Sequence, residues 1–239
     1  PPSRAKSQIR EGGRQMNVPL IISRNKKYGN NYWNSDGPKV GMREVILYSD
    51  LEFEHWLLVE TDPLVESYCE QPREISYELD GKLHTSIFDM WIRYVNEKEM
   101  YIEVKYEAEL LPNHPNYLRT MRQIQAQQEW CRREGVDHRV ITDKIIRASP
   151  IGLENRLKML SFVKSQQKAN GIECVFKQIT KHNQTIGNLY ESLKGEYSII
   201  EVMNACYWLM YKGKIITNIN DQLWSLTTEV RRNEQNEND

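Results

Sequence analysis

The sequence predicts an α/β protein in which a small mixed β-sheet is followed by a helical unit. The hydrophobic patterns between residues 49 and 148 run helix, antiparallel strands, long helix and strand. After Ser149-Pro150 the pattern changes to helices and then to a hairpin. The predicted units are a basic N-terminal arm (1–48), an α/β domain (49–148), a winged-helix domain (149–230) and a disordered tail (231–239).

Composition indicates a charge-balanced protein. The chain has 239 residues, 27% of them charged, with a formal net charge of -1. Net charge alone therefore does not indicate nucleic-acid binding. No apolar run approaches membrane-spanning length, and no signal peptide is visible. The four cysteines are scattered singly, which argues against a zinc site and for free thiols in a reducing cytoplasm.

The N-terminal arm concentrates positive charge. Nine basic residues precede residue 49, against three acidic ones. Such an arm can follow DNA phosphates, and Lys26, Lys27 and Trp33 are the candidate contacts. The alternative is a solvated, poorly ordered terminus. The clusters Gly12-Gly13, Gly29-Asn30-Asn31 and Asp36-Gly37-Pro38 predict loops, and a short helix is expected at Ser3–Glu11.

The α/β domain is predicted to begin with a helix. Ser49 is the expected N-cap, Glu52 is its capping-box partner, and Asp62-Pro63 ends the helix. Asp80-Gly81 predicts a hairpin turn. The remaining elements are expected at Val65–Cys69, around Ile75 and Tyr77, at His84–Val95 and Met100–Tyr106 (strands), at Pro115–Arg133 (helix) and at His138–Thr142 (strand).

The second unit is predicted to contain three helices and a β-hairpin, which together indicate a winged-helix domain. The helices are expected at Leu153–Ser165, Ile186–Leu193 and Ser198–Lys212, and the strands at Lys214–Thr217 and Leu223–Val230. The helix that would read DNA, Ile199–Tyr211, is apolar and contains Glu201. We therefore expect this unit to dock a protein partner, with auxiliary DNA contact.

A strand at Ile102-Glu103-Val104-Lys105 is the strongest functional signal. Alternate side chains of a strand share a face, so Glu103 and Lys105 should point one way and Ile102 and Val104 into the core. A second acid, Asp89, lies on the preceding predicted strand. Two acids and a lysine in this arrangement are typical of metal-dependent phosphodiester nucleases.

These residues belong to an ordered series of short segments. The series is Ser49-Asp50-Leu51-Glu52, Asp62-Pro63, Glu70-Gln71-Pro72, Asp80-Gly81-Lys82, Phe88-Asp89, Ile102-Glu103-Val104-Lys105 and Thr142-Asp143-Lys144. It resembles the TnsA family, the endonuclease subunit of heteromeric bacterial transposases, over about residues 40–148. A lone acid followed by Glu-x-Lys would be weak evidence, and the specificity comes from the whole series.

The resemblance implies a restriction-endonuclease-like (PD-(D/E)xK) core and a Mg²⁺-dependent enzyme in which Mn²⁺ can substitute. Family enzymes cut the 5′ ends of the transposon in double-stranded DNA. A TnsB-like DDE transposase cuts and joins the 3′ ends, and a TnsC-like AAA+ ATPase couples the reaction to target choice. The implied location is the bacterial cytoplasm.

The resemblance also implies roles for individual residues. Asp89, Glu103, Glu52 and the backbone carbonyl of Val104 would bind the metal, and Lys105 would be the catalytic lysine. Each has an ordinary alternative: a surface aspartate at a strand end, a cross-strand ion pair, a helix cap and a strand-edge lysine. Gln71 would orient backbone or DNA, or serve a structural turn.

Two other functions remain open at this stage. One is a stand-alone restriction or repair nuclease of the same fold, which would need its own sequence reader. The other is a non-catalytic scaffold that joins the transposase and the ATPase.

Overall fold

The computed structural model describes residues 10–11, 14–15, 17–22, 31–165 and 170–234. It confirms the mixed α/β class. Two short strands, β1 (Arg10–Glu11) and β2 (Arg14–Gln15), pair with each other near the N-terminus. Residues 235–239 of the predicted disordered tail lie outside the described residues.

The end of the predicted N-terminal arm is a β-hairpin rather than a loop. Strands β3 (Trp33–Gly37) and β4 (Arg43–Leu47) pair antiparallel. Val45 and Leu47 are buried in the core of the α/β unit. The loop predicted at Asp36-Gly37-Pro38 is right for Pro38, which begins the turn, whereas Asp36 and Gly37 end β3; the alternating strand Arg43–Leu47 was missed.

A mixed four-stranded sheet forms the centre of the α/β unit. Its strand order is β10-β9-β8-β5, with β10 and β9 parallel and the other pairs antiparallel. The elements are α1 (Asp50–Thr61), β5 (Val65–Glu70), β8 (Met90–Tyr94), β9 (Glu99–Lys105), α2 (Tyr117–Glu134) and β10 (Asp137–Thr142). All six were predicted, most to within two residues at each end. The αL glycine Gly135 ends α2 as expected.

The two faces of this sheet pack against different helices. Ile102 and Val104 lie on the face covered by α1, together with Trp56 and Ile92. Tyr101 lies on the opposite face, with residues of α2 such as Cys131. Strand β9 therefore has buried side chains on both faces, which places Glu103 beneath α2.

The predicted strand His84–Val95 is in fact two strands in different sheets. Strands β6 (Glu74–Leu79) and β7 (Lys82–Ile87) form a separate hairpin around the turn Asp80-Gly81. Between β7 and β8, Phe88 N donates to Arg73 O and Asp89 N donates to Ile102 O. The backbone thus changes partners at Phe88-Asp89, and a hydrophobicity pattern does not record such a change.

The second unit follows the short helix α3 (Asp143–Ile146). Its helices pack with a three-stranded antiparallel sheet of order β11-β13-β12. The elements are α4 (Pro150–Lys164), α5 (Ile172–Gln178), β11 (Gln184–Thr185), α6 (Ile186–Leu193), α7 (Ile199–Tyr211), β12 (Ile215–Thr217) and β13 (Glu229–Arg232).

Three predictions for this unit were wrong. Helix α5 was missed because it is short, although Val175 is fully buried. The strand Leu223–Val230 begins only at Glu229, because Asn155 of α4 bonds the carbonyls of Ile219 and Gln222 and holds the connection as a loop. Strand β13 also extends through Arg232, inside the predicted tail.

A buried carboxylate joins the two units. Glu60 of α1 has no solvent exposure and accepts hydrogen bonds from the Tyr68 and Tyr211 hydroxyls, at 2.7 and 2.8 Å. Leu160 of α4 packs in the core formed by α1 and the central sheet. The predicted boundary at residue 149 thus separates two folding patterns that share a packed junction.

None of the helices in the described ranges combines the length and the apolar composition that crossing a membrane requires.

The buried imidazole of His55 should make the stability of the protein depend on pH. Burial lowers the pKa of His55 from 6.5 to about 4, so the folded state keeps the ring neutral. The unfolded chain binds the extra proton as pH falls through 6.5, and the protein loses stability down to about pH 4. We expect this residue to account for a loss of about 2 kcal/mol between pH 7 and pH 5.

The measurement is the free energy of urea unfolding at both pH values for the wild type, His55→Leu and the control His182→Leu, whose side chain is exposed. His55→Leu should flatten the pH dependence, and His182→Leu should not. Equal pH dependence in all three proteins would contradict the assignment.

Candidate active site

Asp89 lies in the short connection between β7 and β8, directly before the first residue of β8 and therefore at one end of the central sheet's strands. Its Oδ2 accepts a hydrogen bond from Val104 N at 2.7 Å, so the side chain bridges to β9 beyond the last β8 pairing, Met90 with Ile102. The N–H and C=O of one strand residue point to the same side. The carbonyl of Val104 therefore faces the gap that holds Asp89. Sequence reasoning placed Asp89 on a strand, and the structure places it in this connection.

Glu103 and Lys105 share one face of β9, as predicted. Their side chains form an ion pair with Lys105 Nζ 2.6 Å from Glu103 Oε1. Glu103 is 1% exposed and Lys105 17% exposed. The ordinary alternative of a strand-edge lysine in solvent does not apply, because this lysine is engaged with a buried carboxylate.

Two glutamines of α2 complete the surroundings of Glu103. Gln123 Nε2 donates to Glu103 Oε1 at 2.7 Å, and Gln127 Nε2 donates to Oε2 at 2.6 Å. The same two nitrogens lie 3.2 and 3.0 Å from Ser86 Oγ. Sequence reasoning missed this pair. Its signal was the spacing of four residues in a helix rich in glutamine, which by itself indicates only a shared helix face.

The electrostatics of the site follow from burial of like charges. Desolvation, followed by the negative charge of Asp89, raises the pKa of Glu103 to about 7, while Lys105 and Gln127 act in the opposite direction. The carboxylates of Glu103 and Asp89 raise the pKa of Lys105 despite its burial. The site therefore places the carboxylates of Asp89 and Glu103 close together, with the partly exposed Lys105 as their neighbouring cation.

Glu52 lies in the first turn of α1. Ser49 is the N-cap of this helix, as predicted, and the Glu52 carboxylate binds the backbone N–H of Tyr48, one residue before the N-cap. Ser49 Oγ accepts from Glu52 N, and Glu52 Oε2 accepts from Tyr48 N at 3.0 Å. Gln71 Nε2 also reaches this oxygen, at 3.3 Å. Among the described residues no three His, Cys, Asp or Glu side chains are grouped as a metal site, so Glu52 is not brought together with both other carboxylates.

Gln71 connects the two parts of the site. Its side chain is 2% exposed and contacts Glu52, while its backbone N donates to Asp89 O at 3.0 Å. Its φ of 38° is a left-handed conformation, which a non-glycine residue adopts only where its surroundings hold it. The structure places this side chain inside the protein against Glu52, while the backbone N–H of Gln71 holds the backbone of Asp89.

Of the three predicted DNA contacts in the arm, Trp33 lies within the described residues. Trp33 is 38% exposed, but its ring stacks on Phe53 at 4.3 Å and its Nε1 donates to Asp50. The ring therefore anchors the β3–β4 hairpin to α1. Lys26 and Lys27 lie outside the described residues.

The donor set fits a hard divalent cation. Asp89 and Glu103 supply carboxylate oxygens, and the Val104 carbonyl faces the same gap. Mg²⁺ commonly binds through one or two carboxylates and keeps water or substrate phosphate in its other positions. A cation here would also relieve the repulsion between Asp89 and Glu103.

The ion pair between Lys105 and Glu103 on β9 should contribute to the stability of the protein. Replacing Lys105 with methionine leaves the buried Glu103 without its paired cation, which we expect to cost about 3 kcal/mol of unfolding free energy at pH 8. The control is Lys158→Met, which removes an exposed pair with Glu154 and should cost less than about 0.5 kcal/mol. Urea unfolding measures both. Equal losses would show that the β9 pair is no stronger than a surface pair.

Comparison with known protein families gives a match to part of the chain. Residues 62–143 match the family described as TnsA-like endonuclease N terminal. No curated protein matches the sequence. The matched segment contains Asp89, Gln71, Glu103 and Lys105, and Glu52 precedes it. The family resemblance seen in the sequence is thereby confirmed for residues 62–143, which are similar to the N-terminal domain of TnsA-like endonucleases, a domain associated with transposition.

Proposed function

We propose that this protein is a metal-dependent DNA endonuclease that cleaves the 5′ ends of a cut-and-paste transposon. The observation that carries the proposal is the grouping of Asp89, Glu103 and Lys105 at one sheet edge inside the TnsA-like segment. The substrate is double-stranded DNA at the transposon ends, and the products are a 5′-phosphate and a 3′-hydroxyl.

Asp89, Glu103 and the Val104 carbonyl would hold Mg²⁺, for which Mn²⁺ can substitute. When bound, the ion would polarise a phosphate oxygen and make water a stronger nucleophile. Asp89 is already oriented for this role, because Val104 N fixes its Oδ2. Glu103 must be ionised to bind the cation, and Lys105 favours that ionised form.

Lys105 would stabilise the charge that develops on the phosphate. Its Nζ lies 2.6 Å from Glu103 Oε1 and remains protonated, because the carboxylates of Glu103 and Asp89 raise its pKa. A preoriented cation contributes to catalysis when charge increases next to it in the transition state.

Glu52 would add a further carboxylate from the N-terminus of α1. Gln71 links it to the rest of the proposed site, because its side chain contacts Glu52 and its backbone N–H donates to the backbone carbonyl of Asp89. Binding a cation through Glu52 would compete with the contacts that Tyr48 N, Gln71 Nε2 and Ser49 Oγ make with its carboxylate.

We further propose that the second unit is a winged-helix domain that docks protein partners. Its order of α5, β11, α6, α7, β12 and β13 and its three-stranded sheet support this architecture. Helix α7 buries most of its apolar residues in the unit's own core and carries no lysine or arginine for DNA phosphates. The proposed partners are a TnsB-like DDE transposase and a TnsC-like AAA+ ATPase.

The test is cleavage of transposon-end DNA with Mg²⁺ or Mn²⁺ in the presence of the cognate transposase, with both strands mapped. We expect cuts at the 5′ ends that fall at least about a hundredfold in Asp89→Ala and Lys105→Ala. Asp137→Ala is the control, because this acid is exposed at the start of β10.

The alternatives give different outcomes. Cuts in both strands without the transposase would indicate a stand-alone nuclease. Undiminished 5′-end cleavage in Asp89→Ala and Lys105→Ala would remove the catalytic assignment. A wild-type protein that supports transposition without cutting would indicate a scaffold.

A further inference from the structure

We propose that Gln123 and Gln127 are positioning residues that fix the Glu103 carboxylate for cation binding. The inference rests on the proposed metal-dependent function and adds residues outside the acid and lysine set. Neither glutamine is placed to touch the reacting phosphate, since both act through Glu103.

The contacts form a clamp on both carboxylate oxygens. Gln123 and Lys105 donate to Oε1, and Gln127 donates to Oε2. An ionised carboxylate has about four lone-pair sites, of which these donors take three. The remaining site is on Oε2. The clamp thus leaves Glu103 able to bind a cation through one oxygen while it prevents the carboxylate from rotating.

The orientation of Gln127 is itself fixed. Its side chain has no solvent exposure, and its Oε1 lies 3.1 Å from His138 Nε2. The amide nitrogen then faces Glu103 and Ser86. A flipped amide would turn its oxygen toward the carboxylate, which is repulsive. The Glu103 carboxylate therefore determines which end of Gln127 it meets, and His138 Nε2 lies at the other end of the amide.

Helix geometry restricts the clamp to two of the four glutamines in this stretch of α2. Residues four apart share a helix face, so Gln123 and Gln127 both lie over β9. Gln125 and Gln128 are exposed on other faces of the same helix. All four residues are glutamines of the same helix, so they differ mainly in whether they contact Glu103.

Neutral amides suit this role because they hold the carboxylate without cancelling its charge. A second lysine would compete with the cation, and an acid would add repulsion to that between Asp89 and Glu103. Groups that orient metal ligands typically change metal affinity by about 10- to 100-fold when they are removed.

The experiment measures Ca²⁺ binding by calorimetry, without DNA and without turnover, for Gln127→Met and Gln123→Met. We expect dissociation constants raised about tenfold or more for Gln127→Met, and severalfold for Gln123→Met. The controls Gln125→Met and Gln128→Met should match the wild type. In cleavage assays Gln127→Met and Gln123→Met should need a higher Mg²⁺ concentration for half-maximal activity. Both should recover most of the wild-type rate at saturating Mg²⁺.

The outcomes separate this inference from the proposed function. Wild-type Ca²⁺ binding that Asp89→Ala abolishes, but that both clamp variants retain within twofold, would overturn the clamp alone. Absence of Asp89-dependent binding in the wild type would overturn both. Gln123 is only partly buried, so Gln123→Met decides the question if Gln127→Met does not fold.

Discussion

The structure depends on the burial of the Glu103 carboxylate between the central sheet and α2. A carboxylate with 1% exposure is costly unless charge and hydrogen bonds compensate it. Lys105 supplies the charge, and Gln123 and Gln127 supply the hydrogen bonds. These contacts also fix how α2 lies on the sheet. The contacts that compensate the buried Glu103 carboxylate therefore stabilise the fold and also shape the candidate active site.

A second buried carboxylate does similar work at the junction of the two units. Glu60 accepts bonds from Tyr68 of the sheet, from Tyr211 of α7 and from Lys39 N in the turn after β3. Burial raises the pKa of Glu60, and these donors oppose that rise. Three separate segments thus meet at one residue. The helix that holds Glu60 also carries Glu52, so the position of the second unit and the N-terminal edge of the site are tied to the same rigid element.

The sequence predicted what depends on short-range periodicity and missed what depends on tertiary contact. Alternation in β9 was enough to place Glu103 and Lys105 on one face, and the series of family segments identified Asp89. The split at Phe88-Asp89 was missed because the apolar run is continuous while the backbone partners change. The glutamine clamp was missed because glutamines on a helix usually face solvent. Their role appears only once β9 lies beneath them.

The arrangement also explains why cation and DNA binding should be coupled in the proposed function. Lys105 now compensates the charge of Glu103, at 2.6 Å. A phosphate that draws Lys105 away would leave Glu103 and Asp89 repelling each other in a poorly solvated site. A divalent cation beside both carboxylates removes that penalty and releases the lysine for the phosphate. Each ligand thus lowers the cost of binding the other, so that the cation should bind more tightly when DNA is present than when it is absent.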